Sequence, residues 1–308
     1  MFNSRNSAFG TRTNRQEHLL LVSALCVLVA CGGCGKEPRS AATADLAEKT
    51  AHTLITVQEL MQNPNIIHEK LRATNPTYQG NAVVVDDPQN GLVGQINSST
   101  VKDLSGLRGI PFAALDLRGT LVSDIAPLQG MPLTLLGLEK TGVTDITPLQ
   151  GCKLQKLYLN DTAVADLSPL RGMPIEELML VNTRVSDLSP LKGMPLKMLW
   201  LNGAPVSDIG SISACPLISL TLEGTEIADL SPLAAHPTLQ RLHIGNTKVT
   251  DLSPLKGLKL TRLIFDPTRI TRGLEIARGM TLLKEIGTTL ERRMRPEQFW
   301  AMYDRRTK

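Results

Sequence analysis

The chain has 308 residues, 42% hydrophobic and 20% charged, ordinary globular proportions that exclude a wholly disordered protein. Its net charge of +4 is too small to point to nucleic acid, and the ten Lys/Arg against five Asp/Glu from Arg269 to Lys308 read as a solvated face. Aromatics make up only 3% of the residues, which argues against a conventional enzyme core of this size and suits an array built on aliphatic side chains.

The amino terminus reads as an address. Residues 19–30, LLLVSALCVLVA, form a mostly apolar run preceded by Arg5, Arg12 and Arg15. A bilayer span takes ~20 apolar residues, so the run has the length and flanks of a secretory h-region instead. It ends in Leu28-Val29-Ala30-Cys31, which resembles the bacterial lipobox. That resemblance implies a lipoprotein signal peptide over 1–30, lipidation of Cys31, and a membrane-anchored place in the cell envelope, periplasmic or surface-exposed. An ordinary signal peptide cut nearby and an uncleaved anchor stay open as alternatives. Cys34 lacks the upstream aliphatic residue that Leu28 supplies to Cys31. Residues 31–45 are small and polar, with nothing to bury, and read as a flexible tether.

Residues 46–102 read as a small α+β amino cap. Leu54, Val57, Leu60 and Met61 fall at helical spacing, and Asn63-Pro64 restarts a second helix through Ile67 and Leu71. Residues 82–85 and 92–96 flank Asp86-Asp87-Pro88-Gln89-Asn90-Gly91, a hairpin signal in which the paired aspartates are turn chemistry.

From residue 103 to 287 the sequence repeats. The pentapeptide Asp-(Leu/Ile)-x-x-(Leu/Ile) begins at Asp103, Asp124, Asp145, Asp166, Asp187, Asp208, Asp229 and Asp251, every 21 residues with one final interval of 22. A second signature, L-x-x-L-x-L-x-x-T, keeps the same period, as in Leu154, Leu157, Leu159 and Thr162. Alternation in x-L-x-L-x sends the leucines to one side of a short strand. No 21-residue coil can bury its leucines alone, so stacked coils pair their strands in parallel and share one core. The return limb, for example Val185 to Leu191, has room only for a 3₁₀ or irregular segment, with Ser189 expected as N-cap and Pro190 at the first helical position. Bulk is then unequal on the two sides, and the strands line a concave face. The ends need covers; Phe299 and Trp300, in 288–308, are expected to close the carboxyl end.

These motifs resemble the leucine-rich repeat family, in its short bacterial, internalin-like form. The resemblance implies an α/β solenoid: a leucine-rich repeat horseshoe with a parallel concave sheet and a 3₁₀ or irregular convex side. The family commonly carries Asn at the ninth position, bonding between coils. Here Thr120, Thr141, Thr162, Thr183, Thr225, Thr247 and Thr268 stand instead, with Ala204 in the remaining coil, and a hydroxyl is expected to make part of that ladder. Ala204-Pro205 and Ser211-Ile212 mark the least regular coil.

Function has to be sought on the concave face. Its central column runs Asp116, Gly137, Tyr158, Met179, Trp200, Thr221, His243 and Ile264; the next runs Arg118, Glu139, Asn160, Val181, Asn202, Glu223, Gly245 and Asp266. Tyr158, Met179 and Trp200 fall on consecutive coils, and Val181 and Met198 extend them into an apolar patch, the candidate ligand-binding residues. A protein partner is expected, with no nucleic acid, membrane contact only through the lipid, and no cofactor. No catalytic residue and no metal ligand is assigned. The eight aspartates read as caps, one per coil, because a catalytic group is required once. Cys152 and Cys215 sit three coils apart, too far to pair, and read as buried hydrophobes. His243, beside Arg241 and Glu223, reads as a satisfied surface histidine. The expected role is a non-enzymatic, exported recognition or scaffold protein; self-associating envelope protein and regulatory accessory of an envelope enzyme are the alternatives.

Overall fold

The computed structural model describes residues 55–306; the leader, Cys31 and the tether expected over 31–45 lie outside them. Two helices come first, α1 (Val57–Gln62) and α2 (Asn65–Thr74). Thr56 and Glu59 form a reciprocal capping box at the start of α1, Thr56 Oγ1 accepting from the Glu59 amide at 3.2 Å and the Thr56 amide donating to Glu59 Oε2 at 2.8 Å. The hairpin follows as β1 (Val83–Asp87) and β2 (Gly91–Gln95), with Asp87 Oδ1 accepting from the Gln89 and Asn90 amides in the turn. Asn75, almost fully buried, stitches this cap to the first coil. Its Oδ1 accepts from the Lys102 and Asp103 amides at 2.8 and 2.9 Å, and its Nδ2 donates to the Asp103 carbonyl at 2.8 Å. Gly106 permits this closeness, since a Cβ there would lie 2.5 Å from the Lys70 carbonyl oxygen.

Each coil then supplies one short strand: β3 (Phe112–Asp116), β4 (Leu135–Gly137), β5 (Lys156–Tyr158), β6 (Glu177–Met179), β7 (Met198–Trp200), β8 (Ser219–Thr221), β9 (Arg241–His243), β10 (Arg262–Ile264) and β11 (Glu285–Gly287). A short β12 (Arg293–Met294) completes a twelve-stranded open sheet whose spatial order is its chain order. Pairing is parallel throughout, except in the first and last pairs. Leu136, Leu157, Leu178, Leu199 and Leu220, in register on successive strands, are all 0% exposed and form the spine of the core. The solenoid expected from the repeat is therefore the fold.

The opposite limb of each coil is a three-residue 3₁₀ turn, such as Ser168–Leu170 and Ser189–Leu191. Its cap is the repeated aspartate, two residues upstream of the amide it accepts. The bonds run to the amides of Ser105, Ala126, Thr147, Ser168, Ser189, Gly210, Ser231 and Ser253, at 2.7 to 2.8 Å in all eight coils. Ser189 is not the cap: it lies inside the turn, Leu188 occupies the N-cap position without a side-chain bond, and Asp187 does the capping.

The threonine column also differs from expectation. Thr120, Thr141, Thr162, Thr183, Thr225 and Thr247 each donate to the carbonyl three residues earlier in the same coil, at 2.7 to 2.8 Å. At this position the hydroxyl turns back into its own coil, and backbone amides make the links between coils, as from Leu138 to the Tyr158 carbonyl. The turn after each strand adopts left-handed backbone at Gly119, Lys140, Asp161, Asn182, Gly203, Gly224 and Asn246. Most of these are the residue types that tolerate it, and Lys140 is the costly member.

Helix α3 (Leu274–Arg278) and the closing helix α4 (Pro296–Arg306) finish the chain. Phe299 and Trp300 are buried against Phe265, with ring centroids 6.2 and 6.5 Å away, and the Arg278 guanidinium stacks 4.4 Å from the Trp300 ring. Cys152 and Cys215 are free and buried, and burial pushes both thiols up.

Candidate functional site

The strand register sets the concave columns side by side. Asp116, Gly137, Tyr158, Met179, Trp200, Thr221, His243 and Ile264 are successive Cα partners across β3 to β10. Strands in such a sheet lie ~4.8 Å apart, so Tyr158, Met179 and Trp200 are direct neighbours, and Met198 stands one pleat away beside Glu177. All five candidate residues meet on one surface. They are not equally available, however.

Met179, Val181, Met198 and Trp200 are half-buried. Tyr158 is buried, with 8% exposure. Its hydroxyl donates to Glu177 Oε2 at 3.1 Å, and Glu177 Oε1 holds Lys156 Nζ at 2.8 Å. Burial first, then the Glu177 charge, raises the Tyr158 pKa well above the usual phenol range. Tyr158 is thus the floor beneath the patch rather than part of its rim. Trp200 presents a different feature: its indole Nε1 is buried and has no hydrogen-bond partner among the described residues. A buried indole N–H usually finds an acceptor, and the Trp300 indole N–H in the closing helix shares this unpaired state.

Polar ladders frame the apolar centre. On one flank Arg118 binds Asp116 at 2.7 Å and Glu139 at 3.3 Å, while Asn160 Nδ2 donates to Glu139 Oε1 at 3.1 Å. Asn160 Oδ1 accepts from the Val181 amide at 2.9 Å, which fixes Val181 beside Met179. On the other flank Asn202 Nδ2 donates to Glu223 Oε2 at 3.1 Å and Thr221 donates to Asn202 Oδ1. These bonds leave the frame rigid before any partner arrives.

His243 corrects an expectation. It is 2% exposed, neither ring nitrogen has a hydrogen-bond partner among the described residues, and Glu223 Oε2 stands 3.7 Å from Nε2. The chain after β11 comes back over this part of the face; a Cβ on Gly245 would lie 2.9 Å from His243 Nε2 and 3.4 Å from the Thr288 carbonyl oxygen. Burial holds the His243 pKa below its usual value, against the opposing pull of Glu223 and Glu291. Ile264, next in the column, is fully buried for a face residue. The open concave surface therefore ends near Thr221.

At the amino end the open surface runs further than the repeat motif indicates. Val85 pairs with Val93, Val93 with Ala114 and Ala114 with Leu135, so these four form an apolar row continuous with Lys156 and Glu177. Alternation within the hairpin was the available signal, but the repeat period stops before it.

Among the described residues no group of three or more His, Cys, Asp or Glu is placed to hold a metal ion, and no helix is long and apolar enough to cross a membrane. A groove of about 440 Å³ between two outer turns is lined by Cys152, Lys153, Ser168, Pro169, Arg171 and Met173, without an acid–base pair.

No family model matches the sequence, and no curated protein is similar to it. Among solved structures the chain is similar to an internalin, InlF, of Listeria monocytogenes, at 30% identity over 72% of this chain and 74% of that one, with a TM-score of 0.55. It is also similar to an internalin C2, InlC2, of the same species at 22% identity, covering 65% of this chain and 92% of that one with a TM-score of 0.53, which bears on the fold alone.

Proposed function

We propose that this chain, which belongs to the bacterial leucine-rich repeat proteins of internalin-like type, is an exported, lipid-anchored, non-enzymatic module that binds a protein partner through its concave face. One observation carries the reading: Met179, Val181, Met198 and Trp200 stand half-buried on a hydrogen-bonded strand array, with the Trp200 indole N–H left unpaired. Aromatic and methionine side chains held in fixed positions lose little entropy on association and dominate protein interfaces. The charges towards the amino side of the patch are matched within the chain, Arg118 with Asp116 and Lys156 with Glu177, which suits a protein surface better than a polyanion.

Crosslinking in the native envelope, followed by capture of the chain, identifies the partner. Trp200→Ala is expected to weaken that complex at least about tenfold, the scale of an aromatic hot spot. Unchanged capture removes the concave patch from consideration. Anchoring rests on Leu28-Val29-Ala30-Cys31 and is tested separately: Cys31→Ser should leave the leader uncleaved or release the chain from membranes, and unaltered processing and fractionation would count against it.

A further inference from the structure

The two ends of the sheet are finished differently. At the carboxyl end β12 is two residues long, carries Arg293 and runs almost directly into α4, features that blunt an edge. At the amino end β1 is five residues, Val83-Val84-Val85-Asp86-Asp87, and pairs among the described residues with β2 alone. Val83 and Val85 are 54% and 52% exposed. Three consecutive β-branched residues on an edge strand form a template for another strand, and nothing within β1 before Asp86 discourages one.

We infer that this chain forms a two-fold dimer in which β1 pairs antiparallel with β1 of a second copy, centred on Val84. Self-complementarity selects the second copy as the occupant. In that register Val83 stands opposite Val85 of the other copy, so the exposed valines cover each other. The apolar row of Val85, Val93, Ala114 and Leu135 then meets Val83 of the other copy, whose own row passes to Gln95 and Asp116. Asp86 falls opposite Ala82, two residues from Gly80, where the Arg72 guanidinium lies close enough that a Cβ on Gly80 would sit 2.7 Å from Nη2. Neither Asp86 nor Arg72 has an ion-pair partner among the described residues. The pairing therefore supplies each with an opposite charge, twice per dimer. Centring on Val85 instead sets Asp87 against Val83 and Asp86 against Val84, which buries carboxylates among valines.

A five-residue strand pair is small beside the ~1,200–2,000 Å² of a standard stable interface, so the dimer is concentration-dependent. Light scattering on the purified full chain, with Cys26, Cys31 and Cys34 replaced by serine, should show the mass rising from one chain towards two as concentration increases. Val83→Lys with Val85→Lys, both at exposed positions, should hold the mass at one chain while leaving the melting temperature unchanged. A chain that stays monomeric at every concentration, or a dimer that survives the lysine pair, overturns the inference. Register is tested by oxidation: Val84→Cys should crosslink two copies, and crosslinking through Val85→Cys alone would overturn the Val84-centred pairing. Asp86→Arg and Arg72→Glu should each weaken the dimer by about tenfold and restore it when combined, because the two ion pairs are then rebuilt with reversed sign.

Discussion

Tyr158 donates its hydroxyl hydrogen to Glu177 on the neighbouring strand, 3.1 Å away, and the same carboxylate binds Lys156 from Tyr158's own strand. The ring is thereby locked under the apolar patch that Met179 and Trp200 expose. Tyr158→Phe removes only the hydroxyl bond and should cost about 1 kcal/mol, read from denaturant midpoints. Tyr158→Ala opens a gap in the concave face and should cost about 3 kcal/mol or more. Trp200→Ala, at a half-buried position, should cost less stability than Tyr158→Ala while weakening partner capture more. The reverse order would make Tyr158 the contact and Trp200 the support.

The capping aspartates make a prediction that separates charge from hydrogen bonding. Asp187 Oδ1 accepts from the Ser189 amide at 2.8 Å, and its Oδ2 accepts from the Ser189 hydroxyl. Asp187→Ala should lower stability as the loss of a cap does, whereas Asp187→Asn keeps an acceptor for the amide and should cost less. The two substitutions also differ in acid. The Ser189 amide and hydroxyl hold the Asp187 pKa below the ordinary carboxylate value, and equivalent bonds act on Asp103, Asp145, Asp166, Asp229 and Asp251. A carboxylate depressed on folding stabilises above its unfolded pKa, and that contribution disappears as pH falls through the folded one. Thermal melts should therefore decline below the carboxylate range, and Asp187→Asn should make that decline shallower.

Thr162 tests the hydroxyl ladder found within coils. Its Oγ1 donates to the Leu159 carbonyl at 2.7 Å in a buried setting. Thr162→Val keeps the shape and strands that acceptor, so it should cost about 1–2 kcal/mol in an equilibrium unfolding series. A double substitution of Thr162 and Thr183 should then be nearly additive, because neither hydroxyl bonds the other coil. Strong coupling between the two would restore the inter-coil ladder that the repeat pattern suggests.

The period of 21 residues was enough to place the columns of the concave face, because a strand repeated in register carries position, and side-chain parity follows. It also identified the aspartates as caps, since eight equivalent positions imply eight equivalent jobs. What it could not reach depends on contacts the period does not encode. Tyr158 is buried against Glu177, which reaches it from a column whose neighbouring members are Lys156 and Met198, a side-chain contact particular to this pair of coils. Val83 and Val85 belong to a hairpin outside the repeat, and only their pairing with Gln95 and Val93 puts them on the concave side. His243 is buried by chain that arrives after the last coil, which no comparison between coils could reveal.

His243 carries the last expectation, a pH dependence well apart from that of the aspartates. Its Nε2 stands 3.7 Å from Glu223 Oε2, and burial keeps its pKa below the ordinary value of 6.5 despite Glu223 and Glu291. In the unfolded chain the same imidazole takes up a proton near pH 6.5 while the folded one stays neutral. Protons bound preferentially by the unfolded state lower stability, so the loss begins as pH falls through that value and grows until the folded pKa is reached. The covering segment should loosen first, since it leads into a two-residue strand at the end of the sheet. Amide exchange over 288–294 should therefore accelerate between neutral and mildly acid pH, well above the range where the capping carboxylates titrate. His243→Leu should abolish that acceleration and flatten the melting temperature over the same interval, because no group there would then change charge under the segment. Exchange that stays pH-independent in the wild type, after correction for intrinsic rates, would mean that the carboxylates of Glu223 and Glu291 already offset the cost of burying the ring.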